Sequence, residues 1–288
     1  MKRRYFLYLA GLLLLLNIFC WKEVFALSEK KDLEVYFFDV GQGDSEFIIT
    51  PQNHQILIDG GPDSSVLQKL SKAMPFWDRS LDMVVLSHPD KDHVAGLLEV
   101  LKIYKADYIL WPGLGAPSPE YSEWLKVLEN QEKFGAKIIV ADSAKEILAG
   151  PARFDVLYPL ESLVGQNSGT SANDACAVVK LIFGKNSFLF TGDISTQIEK
   201  KIINSAENVE AEVLKVAHHG SKYSTSELFL KEAQPKFAVI EVGKNSYGHP
   251  TPEVLQRLEK YDINVFRTDN NKDVQMASDG ENIKIIKN

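Results

Sequence analysis

Cysteine is almost absent from this chain: Cys20 and Cys176 are the only two in 288 residues. If residues 1–26 are removed, one cysteine remains, and one cysteine cannot form an internal disulfide. Cys176 lies in the apolar stretch Ala175 to Phe183 and reads as a small core residue rather than a reactive thiol. There is no fixed-period repeat and no low-complexity tract, and the 45% hydrophobic and 25% charged content are those of an ordinary globular protein. A basic excess is also missing. The formal net charge is −7, and residues 33 onward are more acidic still. Nucleic-acid binders commonly carry a basic footprint. The acidity therefore counts against a polyanionic substrate, although bound divalent metal would offset part of it locally.

Long apolar runs are confined to the N-terminus, where Lys2-Arg3-Arg4 precedes an apolar stretch from Tyr5 to Trp21, then Val24-Phe25-Ala26. A basic start, an apolar centre and small residues before a cleavage point describe an export signal ending at Ala26. The alternative is an uncleaved membrane anchor, for which a stretch of about 17 residues is at the short end. Phe19, just before Cys20, argues against a lipid-modified cysteine. Either way, the expectation is a signal or anchor at 1–26 and a folded region at 33–288. That region is expected to be secreted or extracytoplasmic, touching a membrane only through the N-terminal segment.

Hydrophobic patterning divides the rest into alternating strands and helices in two halves. Strands are expected at Leu33 to Val40, Glu46 to Thr50, Gln55 to Ile58, Met83 to Leu86, Tyr108 to Trp111 and Lys137 to Val140. Helices are expected at Ser64 to Ala73, Val94 to Tyr104 and Pro119 to Phe134. The second half places strands at Phe154 to Tyr158, Ala177 to Phe183, Ser187 to Thr191, Val213 to Ala217 and Phe237 to Val242. Its helices are Ser195 to Ser205, capped by Ser195, Thr225 to Ala233, and Thr251 to Tyr261. Three short strands, Val265 to Arg267, Val274 to Ala277 and Ile283 to Ile286, close the chain.

The chemistry gathers just past strand ends. Ser87-His88-Pro89-Asp90-Lys91-Asp92-His93 places two histidines and two carboxylates within six residues, after the apolar run Met83 to Leu86. Imidazole with carboxylate suits zinc, manganese or iron. A solvated loop before a helix, capped by Asp92, would explain the charges but not the framing histidines. Asp193 ends the strand Phe188 to Thr191 and either caps a helix or bridges two metals. His218-His219-Gly220-Ser221 follows the next strand. Adjacent histidines point in different directions, so one ligates. Emerging straight from the strand end, His218 is expected to be that ligand, with His219 facing the substrate or supporting the site. His249, in Tyr247-Gly248-His249-Pro250, is expected to contact substrate or donate a proton to the leaving group. Asp59 is placed to orient a ligating histidine, and Gln42 and Asp44 to line the site. His54 receives no role.

These motifs resemble the metallo-β-lactamase superfamily, in particular the subgroup of the extracytoplasmic hydrolase domain of the DNA-uptake (competence) protein ComEC. The resemblance rests on Asp39-Val-Gly-Gln-Gly-Asp44, Leu57-Ile-Asp-Gly-Gly61, Ser87-His-Pro-Asp-Lys-Asp-His93, Asn173-Asp174, Thr191-Gly-Asp193, His218-His-Gly-Ser221 and Tyr247-Gly-His-Pro250, in order over residues 33–288. It implies an α+β fold, a four-layer αββα sandwich with the metal site at one edge. It also implies one or two divalent ions, zinc or manganese. His88 and Asp90 would serve one, Asp92 and His93 the other, with Asp193 between them and His218 as a further ligand. Asp92, His219 and His249 would carry the catalysis, with Gln42, Asp44, Asp59, Asn173, Asp174 and Ser221 around them. The chain departs from the wider superfamily in having Asp90 where a second histidine is usual. It also has no histidine between 93 and 218, a space Asn173 or Asp174 would fill.

The expected activity is metal-dependent hydrolysis of a phosphodiester by a metal-bound hydroxide, with nucleic acid admitted as substrate. One alternative is hydrolysis of a small ester, lactone or phosphorylcholine-type compound. The other is a non-catalytic binding or accessory protein that has lost part of its metal site.

Overall fold

Alternation along each strand builds two sheets. A computed structural model describes residues 2–28, 31–114, 117–164 and 172–286. Helix α1 (Lys2–Ser28) falls in a compact unit of its own, Met1–Lys31. Among the described residues, no helix is long and apolar enough to cross a membrane.

The second unit spans Asp32–Asn288. Its first half runs β1 (Leu33–Phe37), β2 (Glu46–Ile49), β3 (Gln55–Ile58), α2 (Ser65–Ala73), β4 (Ser80–Val85), α3 (Lys91–Val100), β5 (Lys105–Trp111), α4 (Pro119–Lys133) and β6 (Lys137–Val140). Its second half runs β7 (Glu146–Ala149), β8 (Ala152–Tyr158), β9 (Val178–Phe183), β10 (Asn186–Phe190), α5 (Thr196–Asn204), β11 (Val213–Lys215), α6 (Glu227–Ala233), β12 (Phe237–Ile240), α7 (Pro252–Lys260), β13 (Asn264–Arg267), α8 (Thr268–Asn271), β14 (Val274–Ser278) and β15 (Ile283–Ile286). One sheet has the order β15-β14-β1-β2-β3-β4-β5-β6, the other β13-β12-β11-β10-β9-β8-β7.

Residues alternate between two faces along a strand. Val35, Phe37, Ile48, Val85, Phe188, Val213 and Val239 pack between the sheets. Phe47, Leu57 and Val84 face outward onto α2, α3 and α4. Leu189, Leu214 and Ala238 face α5, α6 and α7. Apolar surface is thus buried in three layers, giving the four-layer αββα sandwich, an α+β metallo-β-lactamase fold. Each sheet contains four parallel strands in sequence order, β3 to β6 and β10 to β13, joined through helices. Parallel strands need such crossovers, and the crossovers bring the carboxyl ends of β3, β4, β10, β11 and β12 to one edge.

The strand β7, which the patterning did not anticipate, pairs antiparallel with β8 at a sheet edge. Strand β11 stops at Lys215, two residues before the expected end. Ser195 does stand at the N-terminus of α5, but its hydroxyl does not cap the helix and instead donates to Asp174 Oδ1 at 3.0 Å. Residues 165–171 of the polar loop expected before Asp174 lie outside the described residues.

Candidate metal centre

Two loops from neighbouring strands of one sheet meet at the shared edge. The loop after β3 carries Asp59, and the loop after β4 carries His88 and leads into α3 with Asp92 and His93. Their approach depends on two glycines. A Cβ at Gly60 would fall 2.3 Å from the Leu97 nitrogen, and one at Gly96 would fall 1.7 Å from the Gly60 oxygen. With neither present, Gly60 N donates to His93 O at 2.8 Å and Gly96 N to Gly61 O at 2.9 Å. The start of α3 is thereby clamped over Asp59.

Hydrogen bonds fix the histidine tautomers. Asp59 accepts from Ser87 N and Ser87 Oγ, and its Oδ2 lies 2.8 Å from His93 Nδ1. A carboxylate only accepts, so Nδ1 of His93 carries hydrogen and Nε2 is the nitrogen left to face a ligand. Ser87 Oγ has spent its hydrogen on Asp59 and therefore accepts from His88 Nδ1, 3.1 Å away. His219 Nδ1 donates to the Glu241 carbonyl at 2.9 Å. All three rings thus turn Nε2, the nitrogen left for a ligand, toward one another. These three buried nitrogens and Asp193 Oδ1 find no hydrogen-bond partner among the described residues. Buried polar atoms are rarely left so, and imidazole and carboxylate are the donors a divalent ion takes. The residues present therefore fit such an ion.

Among the groups whose ligand atoms lie within 4.8 Å of one another, two overlap at His93: His88, His93 and Asp193, and Asp92, His93 and His219. Asp193 Oδ1 is 3.5 Å from His93 Nε2, and its Oδ2 is 3.5 Å from His219 Nε2. Asp92 Oδ2 is 3.3 Å from His219 Nε2. Asp90, half exposed, reaches to 3.5 Å from His88 Nε2.

The pair His218 and His219 is arranged opposite to the expectation. Because β11 ends at Lys215, strand alternation does not reach them. They sit in a 3-10 turn, Ala217–Gly220, with positive φ angles of 51° and 50°. This left-handed backbone, costly for residues with a Cβ, swings the buried His219 into the cluster and His218 to the rim. The Asn173 amide nitrogen lies 3.3 Å from His218 Nδ1 and donates to it. The neutral His218 ring therefore carries its hydrogen on Nε2, 3.8 Å from Asp193 Oδ2.

His249 packs edge-on against His218 with ring centroids 5.4 Å apart, and Tyr247 follows at 5.7 Å from His249. Asp174 bonds Ser195 and stands outside the ligand groups. Gln42 accepts from Gly243 N at 3.3 Å. Ser221, buried, donates its N–H to His218 O. His54 bonds Asp82 and takes no part in the cluster.

Charge follows the same map. Burial pushes the Asp193 carboxyl up, but His219, His93 and Lys215 outweigh it and hold it well below the usual carboxylate range. Asp92 is held down in the same way, by its bond to His219 and the charge of His93. Burial would lower His219, yet Asp193, Asp44 and Asp92 push it up to about 10. His218 and His249 are lowered, chiefly by burial, and stay neutral at neutral pH.

One participant escaped sequence reasoning. Lys215 is fully buried, pairs with Asp44 Oδ2, donates to Gly192 O at 3.1 Å and lies 3.8 Å from Asp193 Oδ1. Its signal was a lysine in register with Val213, and so on the inward face of an apolar strand.

The comparisons agree with this geometry. Residues 39–243 match the model of the metallo-beta-lactamase superfamily. "ComE operon protein 3" of Bacillus subtilis is 34% identical over 260 residues, covering 84% of this chain and 32% of that protein. "Competence protein ComA" of Neisseria gonorrhoeae is 30% identical over 246 residues, covering 83% of this chain and 31% of its own. The chain thus spans about a third of the length of these curated relatives. The metallo-beta-lactamase fold protein YhfI from Bacillus subtilis superposes with a TM-score of 0.55 at 17% identity, covering 85% of this chain and 100% of that one. Together with the αββα layers and the histidine–aspartate cluster at their edge, these matches show that the chain belongs to the metallo-beta-lactamase superfamily.

Proposed function

We propose that this protein is an exported, metal-dependent phosphodiesterase of the ComEC type, with nucleic acid strands among its substrates. The observation that carries the reading is the convergence of three histidine Nε2 atoms and two carboxylates in two overlapping groups that share His93. His88, His93, Asp92, Asp193 and His219 would hold the ion or ions, zinc or manganese, with Asp90 at the open side. A divalent ion supplies Lewis acidity and brings the pKa of a coordinated water to about 7.

The chain's own residues supply the rest. Asp59 and the Glu241 carbonyl keep two rings oriented. His218, with hydrogen on Nε2, donates to a substrate oxygen at the rim. His249 is neutral and half-buried, which suits contact with substrate better than proton donation. Residues 1–26 remain the export segment in this reading.

The test is hydrolysis of bis-p-nitrophenyl phosphate by the full chain with added manganese or zinc. Turnover that EDTA abolishes and that both Asp92→Asn and His93→Ala lose is the expected result. Metal-loaded protein with no turnover, or turnover untouched by both variants, would overturn it and turn attention to ester and lactone substrates.

A further inference from the structure

Behind the ring nitrogens lies a second charged layer, enclosed between the sheets. Asp44, Glu46 and Glu241 are all fully or nearly fully buried, and their carboxylate oxygens lie within 4.8 Å of one another. Glu46 and Glu241 lie on opposite sheets and face the inter-sheet core at the site's edge. Ser45 N donates to Glu241 Oε1 at 3.0 Å, and the Glu46 and Glu241 carboxyls bond each other. Burial and the neighbouring carboxylates push the Glu46 and Glu241 carboxyls up. At Asp44 burial is outweighed by Lys215, His219 and His93, which hold it down, so Asp44 keeps its charge in a dry interior where an unpaired charge is costly. The one full-time cation among them is Lys215, whose ammonium pairs with Asp44 and is 3.8 Å from Asp193.

We propose that Lys215 is a tethered cation that takes the place of a metal ion in the Asp44–Glu46–Glu241 pocket and holds Asp44 and Asp193 in position for the metal centre. Lys215 is then a positioning residue, because it acts on the centre only through these carboxylates. The inference does not rest on the phosphodiesterase reading, since it concerns the charge balance of the folded chain. The surroundings agree: burial alone would lower the Lys215 ammonium, but Asp44, Asp193, Glu46 and Glu241 outweigh that and keep it charged. Asp44 in turn contacts His219 Nδ1 at 3.2 Å and His93 Nδ1 at 3.6 Å, so its placement bears on both rings.

Two substitutions separate charge from packing in the full chain. Lys215→Met keeps most of the volume and removes the charge. If Lys215 only filled space, the methionine variant would be as stable as the parent or more so. The tethered-cation account expects its melting temperature in EDTA to fall by roughly 10 °C. It also expects recovery in the double variant Asp44→Asn/Lys215→Met, where the pair is removed together. Lys215→Ala removes charge and stem together. It is expected to bind one more equivalent of manganese than the parent, by elemental analysis after desalting, and to gain more thermal stability from added manganese. A Lys215→Met protein as stable as the parent in EDTA would overturn the proposal. So would a double variant no better than the single one, which is readable even if Lys215→Met fails to fold. A Lys215→Ala protein with the parent's metal content would overturn the exchange of ammonium for metal.

Discussion

The two sides of the centre are built to different standards. On one side, His93 and His219 are buried, each has its Nδ1 fixed by a dedicated acceptor, and both turn Nε2 toward Asp193. Asp92 joins them. On the other side, His88 Nδ1 meets a serine hydroxyl rather than a carboxylate or carbonyl, and its partner Asp90 is half exposed. Rigid, buried, orienting partners raise ligand basicity and cut the ordering cost of binding a metal. The difference therefore assigns tight binding to the Asp92–His93–Asp193–His219 side and weaker binding to the His88–Asp90 side.

The largest effect should come from His219→Ala. Its loss of divalent-ion affinity should exceed the roughly 10–100-fold that removal of an outer partner costs. His88→Ala should cost less, and chelator competition measures both. Equal losses would erase the distinction between the sides. Next, Asp59→Asn removes the acceptor that orients His93 and should weaken affinity by roughly 10–100-fold while leaving the fold intact.

Acidity should act through the same rings. In the metal-free protein, His219 and His88 are both pushed up to about 10, so a divalent ion must displace protons at neutral pH. Affinity should therefore rise with pH and level off near 10, by about tenfold per unit for each proton released. A flat profile between pH 7 and 9 would show that the rings are already neutral.

A smaller effect lies behind the centre. Burial and the nearby Asp44 charge push the Glu241 carboxyl up from 4.5 to about 8. The folded protein then favours the protonated form, so this contribution to stability is full below pH 4.5 and fades as pH rises through 8. Glu241→Gln cannot ionise, and its melting temperature should fall less between pH 6 and 9 than the parent's. The smallest change is expected from Asn173→Ala at the rim. Loss of its bond to His218 should raise KM for a phosphodiester without changing bound metal.

Much of this architecture was legible in the chain. Period-two patterning marked β3 residue for residue and most other strands within a few positions. The layers followed from strands alternating with helices. The motif segments that converge were visible because metal-capable side chains clustered after apolar runs. What stayed hidden depended on backbone geometry and on contacts across the sandwich. Alternation carried past the true end of β11 favoured His218, whereas two left-handed residues present His219. Ser195 looked like a cap but spends its hydrogen on Asp174. Lys215, Glu46 and Glu241 are far apart in sequence and meet only when two sheets close over them, so no local pattern joined them.

The most direct test is calorimetric titration of manganese into the full chain beside His218→Ala and His219→Ala. The account predicts a tight site that survives in His218→Ala and disappears in His219→Ala. Loss of that site in His218→Ala with its retention in His219→Ala would contradict the arrangement on which the whole reading stands.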